Sequence, residues 1–277
     1  MKIRYLGTAA AEGVPGVFCQ CALCQHARRA GGRDIRTRSQ ALVDEKLLID
    51  FPPDTYLHTL YGGLELWKIH SCLITHNHSD HLYPGDLEMR KLGFAHLQEV
   101  GAFTLYASEK TAKTAQATID QYDLGQDDRV RACVLPPYQS HIVEGYQVTP
   151  LRASHDETCE PYIYLIGRDG KNMLYAHDTG VFPDETWAYL ERERPYLAFA
   201  SLDDTGMNRK NWIDHHMSLD TLCVVRDRLI KMGCADERTI WCVNHFSHNG
   251  GLTHEQLQSA AAEYGFLTSY DDMEVEF

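Results

Sequence analysis

Short apolar runs separated by polar turns recur from one end of the chain to the other. They predict strands over Lys2–Leu6, Gln40–Asp44, Lys46–Asp50, Ile69–Thr75, Phe103–Ala107 and Val130–Leu135 in the first half. In the second half the same pattern predicts Gln147–Arg152, Tyr162–Ile166, Asn172–Ala176, Tyr196–Ser201, Thr239–Val243 and Met273–Phe277. Between these runs, helical spacing of apolar positions predicts helices over Pro84–Leu92, Ser108–Gln121, Pro183–Arg192, Ser218–Met232 and Thr253–Tyr264. The helix at Ser218 opens on a good N-cap and stops before Gly233, which suits a C′ position. Strands crowd both halves with helices interspersed. That order predicts an α/β (α+β) fold in which two sheets pack face to face with helices outside, rather than one parallel sheet. No repeat, low-complexity tract or linker rich in Pro, Gly or Ser divides the chain, so one compact domain over 1–277 is the expectation.

Composition narrows the class. The 277 residues are 44% hydrophobic and 23% charged, enough to bury a substantial core. The opening Met1-Lys2-Ile3-Arg4-Tyr5-Leu6-Gly7 reads as a strand and lacks the apolar run of a signal peptide. No stretch has the apolar length needed to cross a bilayer, so a cytoplasmic protein with no membrane partner is expected. A net charge of −13 opposes general nucleic-acid binding, which needs a basic footprint. One local exception is Arg28, Arg29, Arg33, Arg36 and Arg38, a solvated loop or an anion-steering patch. Six of the nine cysteines are scattered and fit small buried hydrophobes; Cys19, Cys21 and Cys24 fall together and need another explanation.

The densest chemistry is Thr75-His76-Asn77-His78-Ser79-Asp80-His81, between an apolar strand and Pro84-Gly85. Strand-end loops of this kind are where ligand sites often form. Imidazole and carboxylate together suit borderline metals such as Zn, Fe and Mn. In an extended stretch His76 and His78 project to one side, and the following turn can aim Asp80 and His81 at a second ion. The segment resembles the signature loop of the metallo-β-lactamase superfamily, whose fold is an αββα sandwich of two mixed sheets flanked by helices. The resemblance implies a downstream His, a bridging Asp and a final His. His155, Asp178 and His245 stand at the ends of predicted strands. One ion would then be held by His76, His78 and His155, another by Asp80, His81 and His245, with Asp178 between them. His177 should face away from Asp178 by strand alternation, and His215 is an ambiguous neighbour of His216. His26, His58, His70, His96, His141 and His254 have no ligand spacing and read as surface or half-buried residues.

Cys19-Gln20-Cys21-Ala22-Leu23-Cys24 brings three thiols onto a short segment. A structural zinc commonly takes Cys₃His, and His248, three residues after His245, is the chosen fourth ligand. Three reduced, unliganded thiols are the alternative. With Gly7-Thr8 through Gly13-Val14-Pro15 ahead of it, the trio resembles one branch of the superfamily. That branch includes the phosphoribosyl cyclic phosphate phosphodiesterase of phosphonate breakdown; a pyrroloquinoline quinone biosynthesis protein is similar at its N-terminus. Between the motifs, an insertion over Glu185–Asp214 is expected to shape the pocket.

The branch also implies a histidine ahead of a helix acting near the leaving group, a position that His216 matches. Five imidazoles, two carboxylates and two divalent ions (Mn, Zn or Fe) would leave the site net positive and attract a small anionic phosphodiester. The expectation is a phosphodiesterase whose water is activated between the two ions, with Asp80 and His216 in the reacting machinery and one structural Zn beside it. A homodimer is common in this branch. The alternatives are a lactonase or thioesterase, a 3′-processing nuclease for transfer RNA, and an oxygenase of the quinone-pathway type.

Overall fold

The computed structural model describes residues 1–98 and 101–277. One seven-stranded sheet runs β14 (Glu274–Glu276), β1 (Lys2–Gly7), β2 (Gln40–Val43), β3 (Leu47–Ile49), β4 (Ser71–Leu73), β5 (Phe103–Ala107), β6 (Val130–Val134). The other runs β13 (Leu267–Thr268), β12 (Ile240–Asn244), β11 (Leu197–Asp203), β10 (Lys171–Ala176), β9 (Tyr162–Arg168), β8 (Tyr146–Arg152), β7 (His141–Val143). Both sheets are mixed. Antiparallel pairing gives way to parallel pairing from β3 to β6 in one sheet and from β10 to β13 in the other.

Alternation along the strands sorts side chains into three apolar layers. Ile3, Tyr5, Leu47 and Ile49 meet Tyr162, Tyr164, Met173 and Tyr175 between the sheets. Leu6, Leu42, Leu48 and Leu105 point outward onto α3 (Glu109–Gln121), whose Ala112, Ala115 and Ile119 cover them. Ile163, Leu165, Leu174 and Ala176 point outward from the second sheet. Over them lie α4 (Asp184–Glu193), α5 (Leu219–Lys231) and α6 (His254–Glu263). A strand with one residue in and the next out, apolar on both sides, is what a sheet covered on both faces requires. Each such large side chain contributes about 1.5–3 kcal/mol, an upper estimate because unfolded chains already bury some surface. The fold is an αββα sandwich.

Three expectations need revision. Pro84–Arg90 is a run of 3₁₀ turns rather than an α-helix, and of its residues only Leu87 is buried, too little to anchor a helical face. Glu185–Asp214 is not an insertion: it contains most of α4 and the interior strand β11, and only the short link between them and the stretch after Asp203 are loop. Two helices were not foreseen, α1 (Ala22–Ala30) and α2 (Thr55–Leu60). Among the described residues, no helix is long and apolar enough to cross a membrane.

Candidate metal centre

The parallel strands of both sheets end at one edge, and their C-terminal loops carry the polar cluster, as open α/β sheets commonly arrange it. After β4 comes the Thr75–His81 loop, after β8 His155, after β10 Asp178, after β12 His245. Asp178 and His245 adopt left-handed backbone, φ 53° and 66°. Strain of that kind is held only where surroundings over-determine it.

The inward atoms converge in two groups. His76 Nε2 lies 2.9 Å from His78 Nδ1, and His155 Nε2 lies 3.3 Å from the same atom. His81 Nε2 lies 3.3 Å from His245 Nε2 and 3.2 Å from Asp80 Oδ2. Asp178 Oδ2 stands between the groups, 3.3 Å from His76, 2.9 Å from His81, 3.6 Å from His245 and 3.8 Å from His155. Asp178 belongs to both sets: His76, His78, His155, Asp178 and Asp80, His81, Asp178, His245, the ligand atoms within 4.8 Å of one another in each.

The outward nitrogen of each imidazole is engaged elsewhere. His81 Nδ1 donates to Asp50 Oδ2 at 2.7 Å, and His155 Nδ1 to the His215 carbonyl at 3.1 Å. His245 Nδ1 meets Thr205 Oγ1 at 2.8 Å, His76 Nδ1 meets Thr75 Oγ1 at 3.1 Å, and His78 Nε2 meets Asp156 Oδ2 at 3.4 Å. Fixing the outer N–H leaves lone pairs pointing inward, where with nothing between them they would repel. Burial and the neighbouring His81 hold His76 well below the ordinary imidazole range, so it stays a neutral donor. Burial opposes the charge on Asp178, yet His245, His155 and His81 outweigh it and keep the carboxyl well below its usual range. Asp178 Oδ1 is buried without a hydrogen-bond partner, although His216 Nδ1 lies 3.2 Å away. Converging imidazole nitrogens, ionised carboxylates and an unpartnered buried oxygen fit a pair of divalent cations.

Asp203 could be mistaken for a further ligand, since it groups with Asp178, His216 and His245. Its oxygens are already taken. Oδ1 accepts from the N–H groups of Thr205 (3.0 Å) and Met217 (3.1 Å), and Oδ2 from the N–H of Asp178 (2.9 Å) and from His216 Nδ1 (3.2 Å). It is a positioning hub that sequence spacing did not reveal. A carboxylate pair, Asp203-Asp204, just past a predicted strand was the one available signal. Burial works against a charge on His216, but Asp203 and Asp178 outweigh it and raise the imidazole to about 9.

The three cysteines and His248 also assemble. His248 Nδ1 lies 3.5 Å from Cys19 Sγ and 3.6 Å from Cys21 Sγ. With Cys24 Sγ these four ligand atoms fall within 4.8 Å of one another. Each sulfur accepts a backbone N–H: Cys19 from Cys21, Cys21 from Cys24, Cys24 from Gly16. Burial disfavours charge on Cys21, but the Cys24 N–H and the adjacent thiols outweigh it and bring it down to about 6. Burial pushes the Cys24 thiol the other way, up to about 12. Three sulfurs and an imidazole grouped in this way match the ligand set of a tetrahedral zinc.

A cavity of about 290 Å³ opens over both groups; its walls include Glu12, Trp212, His216, Ser247 and Asn249. Sequence reading missed Glu12, Trp212, Asn249 and Asp50, which sit on separate loops with no spacing to mark them. Other expectations resolve simply. His177 faces away, hydrogen-bonded to Ser201 and Asn244. The exposed His215 contributes its carbonyl. His58 and His254 are buried in polar networks rather than at the surface. Three of the five arginines are held in internal contacts: Arg36 is buried against Thr8 and His254, Arg38 pairs with Asp54, and Arg28 binds the carbonyls of Cys19 and Gly16.

A family model of the β-lactamase superfamily domain matches residues 47–230, about two thirds of the chain. The exodeoxyribonuclease WalJ of Streptococcus pneumoniae serotype 2 (strain D39 / NCTC 7466) is 29% identical over 131 residues, 47% of this chain and 44% of that protein. The match thus spans less than half of that relative's length. A solved diphosphatase from the PhnP family superposes with a TM-score of 0.75 at 25% identity, over 100% of this chain and 97% of the other. Zn(2+)-bound PqqB from Methylobacterium extorquens superposes with a TM-score of 0.73 at 20% identity, over 100% of both chains, a likeness of fold.

Proposed function

The chain belongs to the β-lactamase superfamily of metal-dependent hydrolases, and from that premise we propose that it is a phosphodiesterase acting on a small anionic diester. The observation that carries this reading is Asp178 Oδ2, buried within 3.8 Å of four imidazole nitrogens from three separate loops. His76, His78 and His155 would hold one divalent cation, Asp80, His81 and His245 the other, with Asp178 shared. Cys19, Cys21, Cys24 and His248 would hold a structural zinc. Nitrogen and oxygen donors of this kind accept Mn, Zn or Fe. Two cations so placed would supply an acidified water and neutralise charge gathering on phosphoryl oxygens.

The chain's own groups do the rest. Asp203 fixes His216 through Nδ1, which leaves Nε2 for the substrate. Asp203 and Asp178 raise His216 to about 9, which favours the charged imidazolium that can deliver a proton to a departing alkoxide. His155 is oriented by the His215 carbonyl, so the loop that carries His216 also sets a metal donor. A site rich in cations favours an anionic diester over a neutral ester or amide, and the likeness to a diphosphatase supports phosphorus chemistry.

The likeness to WalJ favours a second reading, a nuclease. Against it stand the net charge of −13 and the consumption of Arg28, Arg36 and Arg38 in internal contacts. One screen separates the readings. Metal-replete protein is assayed on bis(p-nitrophenyl) phosphate, cyclic phosphates, lactones, thioesters and single- and double-stranded DNA. Hydrolysis of the small diesters is the expected result. Activity confined to lactones, thioesters or DNA, or none at all, contradicts the proposal.

A further inference from the structure

Glu12 stands in the wall of the reacting pocket, and the hydrolytic scheme above does not use it. Its Oε1 accepts from Ser247 Oγ and from Asn249 Nδ2 at 3.3 Å, and lies 3.5 Å from His248 Nε2. His248 turns its other nitrogen, Nδ1, toward Cys19 and Cys21. An imidazole that offers Nδ1 to a thiolate cluster keeps its proton on Nε2, the atom aimed at Glu12. One carboxylate oxygen is therefore clamped by three consecutive residues anchored to the cysteine cluster. The other, Oε2, accepts no hydrogen bond among the described residues, and the side chain is 30% exposed.

The pocket wall has a second telling property. Among the described residues, the lining contains no lysine or arginine. Arg209, on the neighbouring loop, stacks 5.1 Å from the Trp212 ring and donates to the Asn249 carbonyl at 3.1 Å.

We propose that Glu12 is a specificity-determining residue. It favours a phosphodiester whose non-reacting arm ends in a hydroxyl or amine and rejects one whose arm ends in a phosphomonoester. The inference rests on the phosphodiesterase reading and names the substrate class for that site. A rigidly held acceptor with one free oxygen rewards a donor. A terminal phosphate on the arm beside Glu12 would meet a fixed like charge with no lysine or arginine in the described lining to offset it. The cysteine cluster thereby acts on selectivity at a distance, through His248 as a positioning residue.

Uridine 2′,3′-cyclic phosphate and its 5′-phosphorylated counterpart test this, because they differ only in the terminal phosphate. With metal-replete wild type, kcat/KM should favour the first by about tenfold or more, the scale of like-charge repulsion at an effective dielectric of about 20. Glu12→Gln retains the clamp's shape and removes its charge. The preference should collapse toward unity, chiefly through a lower KM for the 5′-phosphorylated compound, with zinc content and Tm unchanged. Calorimetric binding of uridine 3′-phosphate and uridine 3′,5′-bisphosphate should follow the same ratio without any turnover. Equal binding of the two by wild type, or a preference that survives in Glu12→Gln, overturns the inference. Absence of turnover with a binding preference that Glu12→Gln abolishes overturns the diesterase reading and upholds selection by Glu12.

Discussion

At the scale of single residues, the site divides into atoms that face the cations and atoms that hold those atoms still. The first kind was legible in the sequence. His76, His78, Asp80 and His81 crowd one loop, and His155, Asp178 and His245 each follow a predicted strand. The second kind was not. Asp50 reaches His81 from the end of β3, and Asp203 and Thr205 reach His245 and His216 from the end of β11. Nothing in their spacing distinguishes them from ordinary loop carboxylates and hydroxyls, because their role exists only once distant loops meet. His216 bridges the two kinds. If it supplies a proton to the leaving oxygen, its value depends on how badly that oxygen needs one. His216→Gln should lower kcat by about a hundredfold or more on diesters with alkoxide leaving groups. On bis(p-nitrophenyl) phosphate, whose leaving group departs readily as an anion, the loss should be small. A uniform loss on both substrates, with metal content intact, would assign His216 to positioning instead.

At the scale of elements, the cysteine cluster shows why a motif can be read while its setting cannot. C-x-C-x-x-C announced a metal site, yet the segment is not a simple loop. Cys21 caps α1 by accepting from the Cys24 N–H, and Cys24 lies inside the helix, buried. Alpha-helix α1 has few apolar positions, only Leu23, Cys24 and Ala27 being buried, so periodicity alone gave no warning of it. Its packing against Ala9 and Val14 forms a small satellite core that joins the N-terminal loop to the rest. A zinc here would therefore tie α1 to the turn after His245. Cys21→Ser should release that ion and lower Tm by several degrees, while the reacting centre keeps its other cations. Elemental analysis beside a melting curve reads both. A Cys21→Ser protein that keeps every metal and its melting point would refute the zinc assignment.

At the scale of the whole molecule, the strands were predicted well because sheets covered on both faces are apolar throughout, and such runs stand out from their polar turns. Two short edge strands, β7 and β13, escaped because neither lies in a longer apolar run. The buried polar residues between the layers also escaped. His58 donates through Nδ1 to Gln40 Oε1 at 2.5 Å and faces Thr37 Oγ1 through Nε2 at 2.8 Å. Burial lowers it to about 4, and burial with Arg36 and Arg33 lowers His254 likewise to about 4. Unfolding then takes up protons between about pH 6.5 and pH 4. Stability from these histidines is complete above that window and is lost as pH falls through it, on the order of 3 kcal/mol for a fully buried imidazole. Burial raises Asp271 from 3.8 to about 6, against donors from Thr37 and Thr8. Its contribution has the opposite sign: full below pH 3.8, lost as pH rises to about 6. With two histidines against one aspartate, Tm should fall on acidification from pH 7 to 4.5. His58→Gln should flatten that fall, and curves that stay parallel to wild type would remove His58 from the account.

The convergence of distant loops on a pair of cations is tested most directly by anomalous diffraction from crystals of the metal-replete protein. The account predicts two peaks flanking Asp178 Oδ2, one enclosed by His76, His78 and His155 and one by Asp80, His81 and His245, and a third among Cys19, Cys21, Cys24 and His248. A map with no peak beside Asp178, or with His155 and His245 turned away from it, would contradict the central claim.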